Sequence, residues 1–255
     1  MARSREHARE LIASGSVVLN GLVAHKPATQ VEATASISVR DTALATRSTF
    51  VSRGAVKLEG ALDHFASAGL VVAGRRCLDA GASTGGFTEV LLQRGAHSVV
   101  AVDVGYGQLA WKLQQEPRVH VMDRTNVRYL THSDLEEPVD VVVADLSFIS
   151  LGLVLPALIE VSQPEVDMLL MVKPQFEVGR ERLGAGGVVR DSALRAESVL
   201  AVGASAASLG LGAKGVVASS LPGPAGNVEY FLWLNAAAPP LVVEDVERAV
   251  NEGPK

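Results

Sequence analysis

The sequence predicts an α/β protein in which a mostly parallel sheet carries helices on both faces and ends in an antiparallel strand, with a small α+β segment in front. Three observations carry this. From Ser52 onward helical stretches alternate with apolar runs at 76–79, 98–102, 139–144, 168–172 and 215–219, and such alternation builds a parallel sheet. The last apolar run, Val228 to Leu234, begins only about eight residues after the one before, whereas a parallel crossover takes about a dozen, so this strand turns back. Finally, Leu78 to Thr88 reads L-D-A-G-A-S-T-G-G-F-T, an acidic residue and a glycine-rich turn between a buried strand and a helix.

Taken in order, Arg5 to Ser14 has Ala8, Leu11 and Ile12 on one helical face and stops at Gly15. Val17 to Val23 contains Asn20-Gly21, the dipeptide of tight hairpins, and Ile37 and Val39 suggest a further strand. Small polar residues from Thr42 to Thr49 mark a link, so the chain divides into 1–44, a linker at 45–52, and 53–255. Leu58, Ala61, Leu62 and Phe65 then recur at helical spacing; Val71, Val72, Cys77 and Leu78 read as a buried strand, and Phe87 to Arg94 as a short helix. Val141 to Val161 is apolar enough to suggest a membrane span, but Asp145 and Pro156 interrupt it, and it reads as strand, loop and buried helix.

Composition narrows the class. With 48% hydrophobic and 20% charged residues the chain supports a packed core. A single cysteine, Cys77, allows no internal disulfide and no cysteine-rich metal site, and the six histidines lack metal-ligand spacing, so no metal is expected. Arg3, Arg5 and Arg9 alternate with polar residues and no apolar stretch follows, so no secretory signal is expected; a reduced, cytoplasmic setting fits. Residues 1–50 hold six Lys or Arg against four Asp or Glu, a balance of +2; with −5 overall, the rest carries −7. A polyanion would therefore be met first at the N-terminal segment.

The glycine turn defines a pocket by what it lacks. Ser83 stands where a dinucleotide fingerprint needs its second glycine, and Phe87-Thr88 stands where a phosphate loop needs lysine and a hydroxyl residue. What remains is a ligand with a ribose, a base and a small zwitterionic end, as in S-adenosylmethionine. Asp79 would face its ammonium. Asp103, about two dozen residues on at the next strand's end, suits the ribose hydroxyls, although an aspartate there also fits a helix cap. The expected contacts are Asp79, Gly81, Ser83, Thr84, Gly85, Gly86 and Phe87 from the turn, Asp103 and Val104 from the next strand, and Asp123 and Arg124 after the third.

Asp145 and Lys173 each end a buried strand, at the carboxyl edge where open parallel sheets bind ligands. Glu229 starts the antiparallel strand and so lies at the same edge; Lys57, from the preceding helix, could reach it. Each also has an ordinary reading: a solvated lysine for Lys57, a cap for Asp145, a surface residue before Pro174 for Lys173.

Five segments together are specific: V-S-R-G-A-V-K-L from Val51, the Asp79–Thr88 turn, A-D-L-S-F from Ala144, V-K-P-Q-F-E from Val172 and G-N-V-E-Y from Gly226. In this order they resemble the TlyA family, named haemolysins but acting as ribosomal RNA cytidine 2′-O-methyltransferases, and the likeness spans nearly the whole chain. The resemblance implies an S4-type RNA-binding domain joined to a Rossmann-like, FtsJ-type S-adenosylmethionine-dependent methyltransferase. It implies a Lys-Asp-Lys-Glu tetrad at Lys57, Asp145, Lys173 and Glu229, and rRNA of the 16S and/or 23S type as partner. Enzymes that methylate base amines carry Pro-Pro-aromatic after the position of Asp145; Leu146-Ser147-Phe148 has neither proline, which favours a sugar hydroxyl.

In that reading Lys173 takes the hydroxyl proton, and whether its ammonium can do so depends on burial and on its charged neighbours. Arg3, Arg5, Arg9 and Lys26 are the expected RNA contacts. The loop Arg182 to Arg190 is expected to be mobile and could close on RNA, or be an ordinary connector. The S4-like segment begins one helix short of the family pattern, so Leu11 and Ile12 are expected at the surface, and Phe50 stands where relatives carry tryptophan. The rival functions are a non-catalytic rRNA-binding assembly factor, which needs no tetrad, and a membrane-acting haemolysin, which needs a membrane element.

Overall fold

The computed structural model describes residues 8–9, 11–12, 16–19, 22–24, 26–31, 35–39 and 50–254. By their internal contacts, residues 1–50 and 51–255 form two units. In the first, Ala8, Arg9, Leu11 and Ile12 are helical, and Leu11 accepts the Ser16 N–H as the chain enters β1 (Val17–Leu19). β1 pairs antiparallel with β2 (Leu22–Val23) and β3 (Ile37–Val39). Leu19 opposite Leu22 is the register of a two-residue hairpin. Asn20 and Gly21 themselves lie outside the described residues, as do Arg3, Arg5 and the 42–49 stretch. Leu11 and Ile12 are partly buried rather than exposed; the apolar surface falls on Leu22 and Ile37, 76% and 55% exposed.

The second unit is built on one sheet in the order β6-β5-β4-β7-β8-β10-β9. Its strands are β4 (Arg76–Ala80), β5 (Ser98–Val102), β6 (Val119–Met122), β7 (Val139–Ala144), β8 (Ser162–Val172), β9 (Gly212–Ala218) and β10 (Tyr230–Asn235). The first five run parallel, and β10 lies antiparallel between β8 and β9. This is the mostly parallel sheet with a reversed last strand that the short 219–229 connection requires.

Seven helices follow in the chain: α1 (Arg53–Ala66), α2 (Gly86–Gln93), α3 (Trp111–Gln114), α4 (Leu155–Glu160), α5 (Pro174–Glu177), α6 (Ser192–Ser208) and α7 (Val243–Glu252). Strand side chains alternate between faces. Leu78, Val100, Val142, Leu170 and Leu232 share a core with Leu155 and Leu158 of α4, Val199 and Val202 of α6 and Val246 of α7. The opposite face meets α1 and α2: Phe65 packs on Trp233 with ring centres 5.4 Å apart, and Phe87 on Phe231 at 6.1 Å. Leu58, Ala61, Leu62 and Phe65 form the buried stripe that makes α1 a helix. Each fully buried Leu or Phe there contributes about 1.5–3 kcal/mol, so Leu58→Ala would cost about 2–5 kcal/mol with its cavity.

Several boundaries shift. Val71 and Val72 are not part of β4: a turn at 73–74 intervenes, and Val71 is 48% exposed. β8 begins at Ser162, well before the apolar run, because its first residues are polar and include Pro164. That stretch coincides with a register shift between Val139 and Val141, where a strand tolerates proline. The 141–161 stretch resolves into β7, a loop with a 3-10 turn at Leu151–Leu153, and α4. Among the described residues no helix is long and apolar enough to cross a membrane.

Candidate active site

Because β4, β7 and β8 run parallel, they end at one edge of the sheet, and the reversed β10 begins there. Asp145 follows the last residue of β7 and Lys173 the last of β8. Tyr230 pairs with Val172, so Glu229, one step earlier, falls opposite Lys173. By alternation Asp145, Lys173 and Glu229 share a face with Val143, Met171 and Phe231, the face that α1 covers. Lys57 comes down from α1 and donates to Glu229 Oε2 at 2.5 Å; Lys173 Nζ lies 2.5 Å from Asp145 Oδ1 and donates to Ser147 Oγ at 3.1 Å. The structure thus gathers all four charges at one rim as two ion pairs.

Burial removes the ordinary readings. Lys57, Lys173 and Glu229 are 6%, 9% and 1% exposed, so neither lysine is a solvated surface residue. Asp145 caps no helix, since the next helical turn starts at Leu151 and Ser150 caps it. Ions taken out of water this far require partners, and each has one. The backbone is shaped around them: a Cβ on Gly223 would stand 2.6 Å from Glu229 Oε1, so a side chain there would displace the carboxylate.

The glycine turn lies beside this rim. Gly81 and Ala82 both donate to Val102 O, which fastens the turn to the end of β5. Gly81 has φ +88°, and a Cβ on it would meet the Asp145 carbonyl oxygen at 2.7 Å, so only glycine fits. Asp79 is fully buried; its Oδ2 accepts the Thr88 hydroxyl at 2.6 Å, and its Oδ1 has no partner among the described residues. Burial pushes this carboxyl up to about 7, against hydrogen bonds from Thr88 that pull it down, with the nearby Asp145 and Asp103 adding to the rise.

Asp103 ties the turn from its other side. Its two oxygens accept the N–H groups of Ser83, at 2.8 Å, and Gly105, at 2.7 Å. No helix follows until α3, so the cap reading fails, and each oxygen keeps a second lone pair. Ser83 and Thr84 are exposed at the turn and Gly85 and Gly86 are buried. The Phe87 ring points into the core against Phe231, which leaves only its backbone to the turn. Val104 is 70% exposed. Asp123 accepts the Gly107 N–H at 2.8 Å, and the Arg124 guanidinium lies 4.3 Å from the Tyr106 ring centre. In the first unit Arg9 and Lys26 are exposed.

Sequence reasoning passed over several participants. Thr88 and Ser147 sit inside quoted motifs, but their bonds to Asp79 and Lys173 depend on how the segments meet. Phe148 is 91% exposed at φ +65° and its ring lies 5.2 Å from that of Phe176. Glu177 accepts from Ser150 Oγ and the Leu151 N–H; burial raises its pKa, against those two bonds. Buried Asn227 accepts from Val189 N–H and donates to Gly187 O. Arg182 Nη1 bonds both oxygens of Glu197, so each end of the 182–190 stretch has a partner outside it.

A family model described as FtsJ-like methyltransferase matches residues 50–236. The chain belongs to the FtsJ-like methyltransferase family. Within that family it is 57% identical to the 16S/23S rRNA (cytidine-2′-O)-methyltransferase TlyA of Mycobacterium tuberculosis, over all of this chain and 94% of that protein. It is also 33% identical to Hemolysin A of Brachyspira hyodysenteriae, over 89% of this chain and 92% of that one. A solved structure of a candidate hemolysin from Streptococcus thermophilus superposes with a TM-score of 0.81 at 38% identity, covering 98% of this chain and 90% of the other. The Rossmann-like methyltransferase architecture and the TlyA resemblance expected from the sequence are therefore both found.

Proposed function

We propose that this chain is an S-adenosylmethionine-dependent methyltransferase of the 2′-hydroxyl of cytidine in ribosomal RNA, of the 16S or 23S type or both, working in the cytoplasm. The observation that carries the reading is the pair of buried ion pairs, Lys57–Glu229 and Lys173–Asp145, at one rim beside the glycine turn. The full-length likeness to an rRNA (cytidine-2′-O)-methyltransferase supports the choice of acceptor.

The residues at the turn fit the cofactor. Asp79 offers a buried oxygen without a partner to an ammonium group, Asp103 has spare lone pairs for a diol, and Gly81 keeps the pocket wall free of a side chain. Ser83, Thr84, Gly85, Gly86 and the Phe87 backbone would line the turn, with Val104, Asp123 and Arg124 toward the base. When bound, S-adenosylmethionine supplies an electrophilic methyl group.

Lys173 takes the proton of the 2′-hydroxyl at Nζ as the oxygen becomes a nucleophile. In the neutral amine that does this, Asp145 and Ser147 take the two N–H bonds of that nitrogen, and its lone pair is left to accept the hydroxyl proton. Lys57 and Glu229 fix the opposite wall and keep the rim's charges balanced. Much of the rate then comes from alignment, because the protein holds the hydroxyl where attack is in line. Phe148, exposed beside Ser147, presents an aromatic face to a neighbouring base. Residues 1–44 would supply the S4-like RNA grip, with Arg3, Arg5, Arg9 and Lys26 on the phosphates.

The test is Lys173→Ala at saturating rRNA and cofactor. Loss of turnover with cofactor binding retained by calorimetry is expected; near-normal turnover removes Lys173 from the base role.

A further inference from the structure

We propose that Glu177 is a positioning residue of this site, latching the loop that carries Asp145 and Ser147 to the segment that carries Lys173; this rests on the methyl-transfer reading above. Two stretches leave the sheet side by side: residues 145–150 from β7 and residues 173–177 from β8. They meet three times. At the bottom Lys173 Nζ reaches Asp145 Oδ1 at 2.5 Å and Ser147 Oγ at 3.1 Å. In the middle the Phe148 and Phe176 rings lie 5.2 Å apart. At the top Glu177 accepts the Ser150 hydroxyl at 2.6 Å and the Leu151 N–H at 2.9 Å, one on each carboxylate oxygen.

The loop needs such a fastening. Among the described residues, none from Leu146 to Ser150 donates a backbone hydrogen bond to another backbone group. Phe148 is also held at φ +65°, in the region an aromatic residue rarely adopts. A conformation of that kind persists only where the surroundings over-determine it. The two-oxygen grip of Glu177 closes the loop at the end opposite Asp145. It also fixes the far end of α5, the single turn whose first residue, Pro174, directly follows Lys173. Without the grip, Ser147 and Asp145 are free to drift from Nζ, while the glycine turn, held by Val102 and Asp103, is untouched.

The decisive comparison uses the full chain carrying Glu177→Ala, Glu177→Gln or Ser150→Ala, with methyl transfer to rRNA and chemical labelling of lysine amines read by mass spectrometry. In Glu177→Ala, kcat should fall about tenfold or more, with KM for the cofactor within about twofold of wild type. Labelling of Lys173 should rise while that of Lys57 stays constant. Glu177→Gln should recover most of the rate, since its amide oxygen still accepts the Leu151 N–H and its nitrogen can donate to Ser150 Oγ. Ser150→Ala, which removes one arm together with the weak Ser150 Oγ cap on the Gly152 N–H and keeps the Glu177 bond to the Leu151 N–H, should lie between them and serves if Glu177→Ala does not fold. A kcat within about twofold of wild type, or unchanged Lys173 labelling, in whichever of Glu177→Ala and Ser150→Ala folds overturns the latch. A wild-type protein that transfers no methyl group overturns the methyl-transfer reading instead, and the labelling then decides the latch alone.

Discussion

Lys57 Nζ and Glu229 Oε2, 172 residues apart in the chain, stand 2.5 Å apart with side chains 8% and 1% exposed. Neither can turn to water if the other is lost. Glu229→Ala should therefore cost about 3–5 kcal/mol in urea unfolding, because it strands a buried ammonium. Adding Lys57→Met should return most of that stability while methyl transfer stays absent. If the double variant regains transfer as well, the pair is structural only.

Gly81→Ala tests the contact between the turn and the rim. An alanine would have to hold φ +88° and place its Cβ 2.7 Å from the Asp145 carbonyl. We expect a loss of about 1–3 kcal/mol by thermal unfolding, with turnover falling further than stability alone explains because Asp145 is pushed. A variant with normal turnover would show that the Asp145 backbone can yield without consequence.

Asp79 gives the cofactor-free protein a pH signature. Its carboxyl titrates at about 7 when folded against 3.8 in the reference state, so the folded form binds a proton that the unfolded chain releases. The resulting stability is full below the unfolded value and is lost as pH rises through about 7. Unfolding in denaturant between about pH 5 and 8 should show that decline, and Asp79→Asn should flatten it. An ammonium brought to Oδ1 reverses the preference, so cofactor binding near pH 7 should release a proton, visible by calorimetry in buffers of different ionisation enthalpy. No proton release would remove Asp79 from the ammonium role.

For Phe148 the expected effect falls on RNA rather than on the cofactor. It is 91% exposed, so Phe148→Ala should leave stability and cofactor affinity unchanged. It should raise KM for rRNA about tenfold, the scale of one lost base-stacking contact. An unchanged KM would assign the ring to packing with Phe176 only.

Much of this site was legible in the sequence because strand ends are legible. Asp145 and Lys173 each follow an unbroken apolar run, and the brief connection before Val228 betrays a reversed strand, which puts Glu229 at the same edge. Val71 and Val72 misled because apolar content alone does not distinguish a strand from a loop that tucks one residue under; Val72 is buried and Val71 is not. Glu177, Thr88 and Asn227 were unreadable for another reason. Their partners, Leu151, Asp79 and Val189, are set by how distant segments pack, and nothing in their spacing announces it.

The ladder between β10 and β8 runs in register from Tyr230↔Val172 to Leu234↔Met168, while the irregularity of β10, between Trp233 and Leu234, faces β9 at the far end. Since alternate residues point to opposite sides, a slip of one position would exchange a carboxylate for a phenol next to Lys57. Chain length at the turn from Gly223 to Gly226 can therefore vary only as long as the strand itself does not slide. Any such variation must also spare Gly223, the one position of the turn where a side chain would strike the Glu229 carboxylate.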